Sequence, residues 1–120
     1  MKQTMEQRRA SHAWEKAYQG VQQHGKEYVN EAKGLPALIM NSGLMPVMAF
    51  LEGKGGRHAT LGGHLRDWLH ETHNTPQGFE GFMQHLLQAE PRKFQAITAE
   101  AFAWLRWLRQ MAPAVARGGQ

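Results

Sequence analysis

The sequence predicts an all-α fold, a compact single-domain bundle of about six or seven helices. Apolar residues recur at helical spacing, β-branched residues are scarce, and no run alternates at period two. At 120 residues the chain amounts to one domain and can bury a core without staples. The domain is read as 1–120, with residues 1–3 and 117–120 expected to be disordered.

The first helix should begin at Thr4, because Thr4 with Gln7 makes a capping box. Ala10, Trp14, Ala17, Tyr18 and Val21 follow at helical spacing, and Tyr28, Val29 and Ala32 keep the phase. Gly20 and Gly25 weaken the run, so it is one kinked helix or two in near-register, ending at Gly34. Leu35 to Asn41 reads as a short helix with Pro36 in its first turn. Asn41-Ser42-Gly43 stops it. Leu44, Val47, Met48 and Leu51 then form a stripe, with Pro46 in the first turn, where a missing N–H does no harm.

Gly53 to Arg57 reads as a flexible loop. Leu61, Leu65, Trp68 and Leu69 mark the next helix, interrupted early by Gly62-Gly63 and ended by Asn74-Thr75-Pro76. Phe79, Phe82, Met83, Leu86 and Leu87 mark another, closed before Pro91. The last helix carries the widest stripe, from Phe94 to Ala112, and Pro113 and Gly118-Gly119 loosen its end. The expected core is Trp14, Leu38, Leu51, Leu65, Leu69, Phe82, Leu86, Phe94, Ile97, Trp104, Leu105 and Leu108.

Cysteine is absent, which excludes a disulfide scaffold, a cysteine zinc site, an iron–sulfur centre and a thiol nucleophile. A hydrophobic content of 42% is too high for a disordered chain. No apolar run approaches the ~20 residues of a membrane span, and Met1 to Arg9 is too polar to open a signal peptide. The expected location is therefore the cytoplasm, with no membrane partner. The 14 Lys and Arg against 10 Asp and Glu leave a net charge of +4. That surplus suits nucleic acid or an acidic protein surface, and it says nothing about fold.

Catalytic chemistry is hard to assemble from these residues. Ser11 and Ser42 are the only serines, and neither lies in a nucleophile elbow. Asp67 is the only aspartate, so a two-metal carboxylate site would need glutamates from several helices. His70 and His73 are one residue short of the H-E-x-x-H spacing. His64, Asp67 and Glu71 share a helical face that can hold an ion, and a solvated face accounts for them as well. The expectation is a non-enzyme with no cofactor and no metal.

Two groups point to binding. Arg9, His12, Lys16, Gln19, Gln23 and Lys26 fall on one line of the first helix, opposite its apolar stripe, with no carboxylate on the line. Such a ladder matches phosphates along a strand. Lys54 and Arg57 in the glycine loop offer two more mobile cations. Candidate polyanion-contacting residues, which the resemblance given below would make RNA-binding, are thus Arg9, Lys16, Lys26, Lys54 and Arg57. Phe102, Arg106 and Arg109 lie together beside the core stripe of the last helix and Trp107 beyond its other edge, a composition that suits a protein interface.

An ordered set of short segments adds to this reading. Gln7-Arg8-Arg9-Ala10, Ala13-Trp14, Tyr28-Val29, Ala32-Lys33-Gly34-Leu35-Pro36, Ile39, Asn41-Ser42-Gly43-Leu44 and Ala49-Phe50-Leu51 resemble the N-terminal half of the small α-helical subunit of type III-B CRISPR effector complexes, the Cmr complexes. Thr98-Ala99-Glu100, Trp104 to Arg109 and Ala112 resemble its end. The resemblance runs over roughly residues 4–112 and is weakest at 53–63 and 70–92.

It implies a non-catalytic subunit in antiviral defence, stacked with copies of itself and other subunits along a guide RNA–target RNA duplex. Contacts to RNA would be to backbone and shape, which need cations and no base-reading code. The alternatives are a helical adaptor that binds only protein, or a small DNA-binding protein. For the latter, the tight turn before a recognition helix is missing.

Overall fold

The computed structural model describes residues 2–118, almost all of them helical: α1 (Met5–His24), α2 (Lys26–Ser42), α3 (Leu44–Lys54), α4 (Gly56–His73), α5 (Phe79–Gln88) and α6 (Pro91–Gly118). No strand occurs among the described residues. The expected terminal disorder falls partly on Met1, Gly119 and Gln120, which lie outside them. Arg117 and Gly118 form the last turn of α6.

The capping box opens α1 as expected. The Thr4 hydroxyl accepts from the Gln7 amide at 3.1 Å, and the Gln7 side chain accepts from the Thr4 amide at 2.7 Å. The break after α1 is a single residue, Gly25, and α2 then runs unbroken through Gly34 and Pro36. The separate helix expected at Leu35–Asn41 is thus the second half of α2. A helix-interior proline costs about 3 kcal/mol. Leu35 and Ile39, on either side of Pro36, are both buried, and each large apolar side chain returns about 1.5–3 kcal/mol. Pro113 is carried inside α6 in the same way, between buried Ala112 and Val115.

The flexible loop expected at Gly53–Arg57 shrinks to Gly55. This residue closes α3 and opens α4 at φ 72°, a backbone that glycine alone adopts without strain. Gly62-Gly63 does not interrupt α4. Gly62 lies against Leu51, where a Cβ would sit 3.4 Å from the leucine's own Cβ, so it sets the close packing of α3 on α4.

α6 is the spine. α1 and α2 make their main contacts on it, and α4 closes the core from the other side with α3 and α5 against it. Leu51, Leu65, Leu69, Phe82, Leu86, Ile97, Trp104, Leu105 and Leu108 are buried as expected, and Phe94 packs at the edge. Trp14 and Leu38 are corrections, being 50% and 40% exposed. The buried face of α1 is His12, Ala13, Ala17 and Gly20. Small residues let α1 lie close to the large side chains of α6. One residue is about 100° of helix, so Trp14 and Tyr18 are turned out. Leu38 misses the buried line of Leu35 and Ile39 for the same reason.

Gly20 is where this closeness is tightest, since a Cβ there would fall 2.4 Å from the Tyr28 ring. Gly34 has open space around it and an ordinary helical backbone. Gly20→Ala should destabilise by about 1–3 kcal/mol through overpacking, despite the gain in helix propensity. Gly34→Ala should stabilise by about 0.8–1 kcal/mol. Urea unfolding of the two variants checks both signs.

Candidate functional site

A polar seam runs through the contact of α1, α4 and α6. Glu100, buried on α6, accepts from Arg9 Nε at 2.7 Å and Nη2 at 2.9 Å, and from the Trp68 indole at 3.0 Å. Arg9 also donates to Glu6 at 2.9 Å. Burial pushes the Glu100 carboxyl up, but the Arg9 guanidinium and the Trp68 N–H outweigh it and hold the group below the usual carboxylate range. The Arg9 guanidinium is held charged, chiefly by its bond to Glu100.

One turn on, His12 Nδ1 accepts from the Trp104 indole at 2.9 Å, while Nε2 faces Asp67 Oδ2 at 2.8 Å. Lys16 Nζ lies 3.6 Å from Asp67 and 3.8 Å from Glu15. Burial raises the Asp67 carboxyl, yet the hydrogen bond from His12 and the Lys16 charge keep it low. Deeper still, Tyr28 Oη and His64 Nδ1 are 2.8 Å apart. Burial raises the phenol and lowers the imidazole, which sits at about 4 with help from the Lys16 charge.

The ion-holding face expected at His64, Asp67 and Glu71 is rearranged. His64 turns to Tyr28, and His12 takes its place beside Asp67 and Glu71, their ligand atoms within 4.8 Å of one another. An indole N–H only donates, so His12 Nδ1 is the acceptor and the imidazole proton sits on Nε2. A metal needs that nitrogen bare, and Lys16 already places a cation at Asp67. The cluster is built as a hydrogen-bonded joint.

These bonds correct the ladder read along α1. Arg9 and Lys16 are only 19% and 15% exposed in their side chains and are paired to carboxylates. His12 is buried. Arg57 lies 3.6 Å from Glu27 and 3.5 Å from Glu31, and His58 lies 2.7 Å from Glu31. Lys26 and Lys54 are the exposed candidates, with Lys54 Nζ 5.9 Å from the Phe50 ring centre.

Lys26 opens a groove that sequence reasoning missed. With Val29, Asn30 and Lys33 of α2 it faces Pro113, Ala116 and Arg117 of α6. Three cations line it and no carboxylate does. None of the three takes part in an ion pair among the described residues. Lys26, Asn30 and Lys33 are spaced four and three apart, a signal visible in the sequence once the helix is restarted at Gly25.

Farther along the same α2–α6 seam, Phe102, Arg106, Arg109 and Gln110 meet Pro36 and Met40 around a second groove. Met40 is 76% exposed. Trp107 does not line this groove. It packs on the core and donates to Glu6 Oε2 at 3.3 Å.

Comparison with known proteins finds the family described as "CRISPR-associated protein (Cas_Cmr5)" matching residues 5–115. The crystal structure of a CRISPR-associated Cmr5 family protein from Thermus thermophilus is similar, with a TM-score of 0.80 and 26% sequence identity, covering 94% of this chain and 98% of that one. No curated protein matches.

The seam makes two expectations. Glu100→Ala strands Arg9, although Glu6 keeps one of its nitrogens. The cost should therefore be about 2–3 kcal/mol, below the 3–5 of a fully buried pair. His64 has an ordinary value of 6.5 and sits at about 4 when folded, so only the unfolded chain takes up its proton between those limits. Stability should fall as the pH drops through this window, by about 2 kcal/mol between pH 7.5 and 5. His64→Gln should remove most of that difference in urea unfolding at the two pH values. An unchanged pH dependence would refute the assignment.

Proposed function

The chain belongs to the Cmr5 family of CRISPR-associated proteins, which makes it a subunit of a Cmr, type III-B, complex of antiviral defence, and from that premise we propose that it is the small non-catalytic subunit that helps hold target RNA in the assembled complex. The observation that carries the RNA-holding role is the groove of Lys26, Lys33 and Arg117, three cations without carboxylate partners among the described residues that face one another across a lining free of carboxylates. Such a groove suits phosphates. Asn30 is the one amide in its lining, against three cations, so the groove suits backbone contacts to strands of any sequence. Lys54 extends the cationic surface beyond α3.

The groove of Pro36, Met40, Phe102, Arg106 and Arg109 supports contact with another subunit. An exposed methionine and a phenylalanine flanked by unpaired arginines suit an apolar segment carrying carboxylates. No helix among the described residues is long and apolar enough to cross a membrane, and as a subunit of such a complex the protein would work in the cytoplasm.

Tagged protein from the native host should bring down a guide RNA and several larger proteins. Recovery of neither would sink the complex-subunit reading. In rebuilt complexes, Lys26→Ala with Lys33→Ala and Arg117→Ala should weaken target RNA binding about equally for all sequences. The slope of log K against log salt should fall by roughly 0.7 to 0.9 for each phosphate no longer neutralised. Folding stability should change by no more than about 0.5 kcal/mol per site. An unaltered slope and affinity would overturn the groove assignment.

A further inference from the structure

Three shallow depressions adjoin along one side of the molecule. The cation groove shares Ala116 with a second depression, which lies between Tyr18 and Gln22 of α1 and Val115 of α6. That second depression shares Tyr18 with a third, bounded by Ser11, Trp14 and Gln19. One continuous surface thus runs from three unpaired cations to two aromatic rings.

The rings have no structural reason to be there. Trp14 and Tyr18 are each 50% exposed, and the buried face of α1 is made of small residues one position away. They stand four residues apart, so both project from one side of the helix. Gln22 Nε2 donates to Tyr18 Oη at 3.2 Å, which holds the phenol in place. Around them are amides and a hydroxyl, and the only aliphatic neighbours are Val21, Val115 and Ala116 at the inner end. The one carboxylate on the track, Glu15, lies 3.8 Å from Lys16 Nζ.

A protein segment docking here would find few aliphatic contacts and three cations to satisfy. A nucleic acid strand satisfies both halves, with phosphates on the cations and base faces on the rings. A paired duplex keeps its base faces within the stack, so only an unpaired strand can use the rings. We propose that Trp14 and Tyr18 form a base-stacking platform for unpaired nucleotides of an RNA strand whose phosphates lie in the Lys26–Lys33–Arg117 groove. The proposal rests on the reading of that groove as an RNA-backbone site and adds the single-stranded character of what binds.

The test uses the full chain and two probes of equal length at low salt, oligouridylate and the same ribose-phosphate backbone without bases. Wild type should bind oligouridylate about tenfold or more tightly than the abasic probe. Trp14→Ala with Tyr18→Ala should lose that preference and leave the salt slope unchanged, while Trp14→Phe should keep most of it. Ultraviolet cross-linking of 5-bromouridine RNA should label the tryptic peptides Ala10–Lys16 and Ala17–Lys26 in the isolated chain and in the rebuilt complex.

Equal binding of the two probes, or of the double variant and wild type, would overturn the platform. If the cation triple variant still lowers the salt slope in the complex, the backbone-holding role survives that failure. If it does not, both readings fall. A double variant that loses its partner subunits but keeps its preference for oligouridylate would make this face a protein interface and overturn the proposal.

Discussion

Glu100 accepts from two nitrogens of Arg9 and from the indole of Trp68, so one carboxylate joins α1, α4 and α6. A buried carboxylate is tolerated only when its oxygens are matched. The matching fixes how α1 lies on α6. Once Arg9 is at Glu100, His12 comes opposite Trp104 and Asp67, and Lys16 comes within reach of Asp67. All of these bonds share one orientation of α1, since a rotation of the helix by one residue would separate them together.

The same constraint decides which charges are available to a partner. Cations on the seam are consumed by its carboxylates, and their electrostatic effect is spent inside the molecule. Arg57 and His58 are drawn to Glu27 and Glu31 in the same manner. Among the cations that remain outward, Lys26 and Lys33 with Arg117 beside them are gathered in one groove that no carboxylate lines. A net charge of +4 is modest, yet a groove with cations and no acids has a local field well beyond what that average suggests.

Much of the fold was legible in the sequence, and what was not has identifiable causes. The capping box at Thr4, the breaks at Gly43 and Asn74, and the long stripe of α6 are local signals, and local signals survive tertiary context. Pro36 and Gly34 misled because propensity was weighed without the burial of Leu35 and Ile39 around them. The glycines at 53–56 suggest flexibility, whereas Gly55 and Gly56 at positive φ are enough to join two helices. Trp14 misled most. By size alone the largest apolar residues mark the buried face of α1, but a helix lying close against large neighbours turns its small residues inward. Arg9, His12 and Lys16 of the α1 ladder are tied into the seam for a related reason, since a line of cations looks free until the carboxylates of other helices are placed beside it. The pairing of Phe102, Arg106 and Arg109 rested on spacing within one helix, and they do line one groove.

Trp14 and Tyr18 become informative through that error. A half-exposed tryptophan on a helix whose core face is alanine and glycine contributes little to folding where it stands. Its apolar area gains only when something covers it. The covering agent has to suit the neighbouring surface too, and here the neighbours are amides and unpaired cations. Of the surfaces this chain presents, the Met40 groove joins apolar side chains to arginine. The α1 track joins flat rings to lysines strung along a helix edge. The two surfaces differ in what would cover them, the first suiting an apolar segment with carboxylates and the second a strand that offers both phosphates and flat faces.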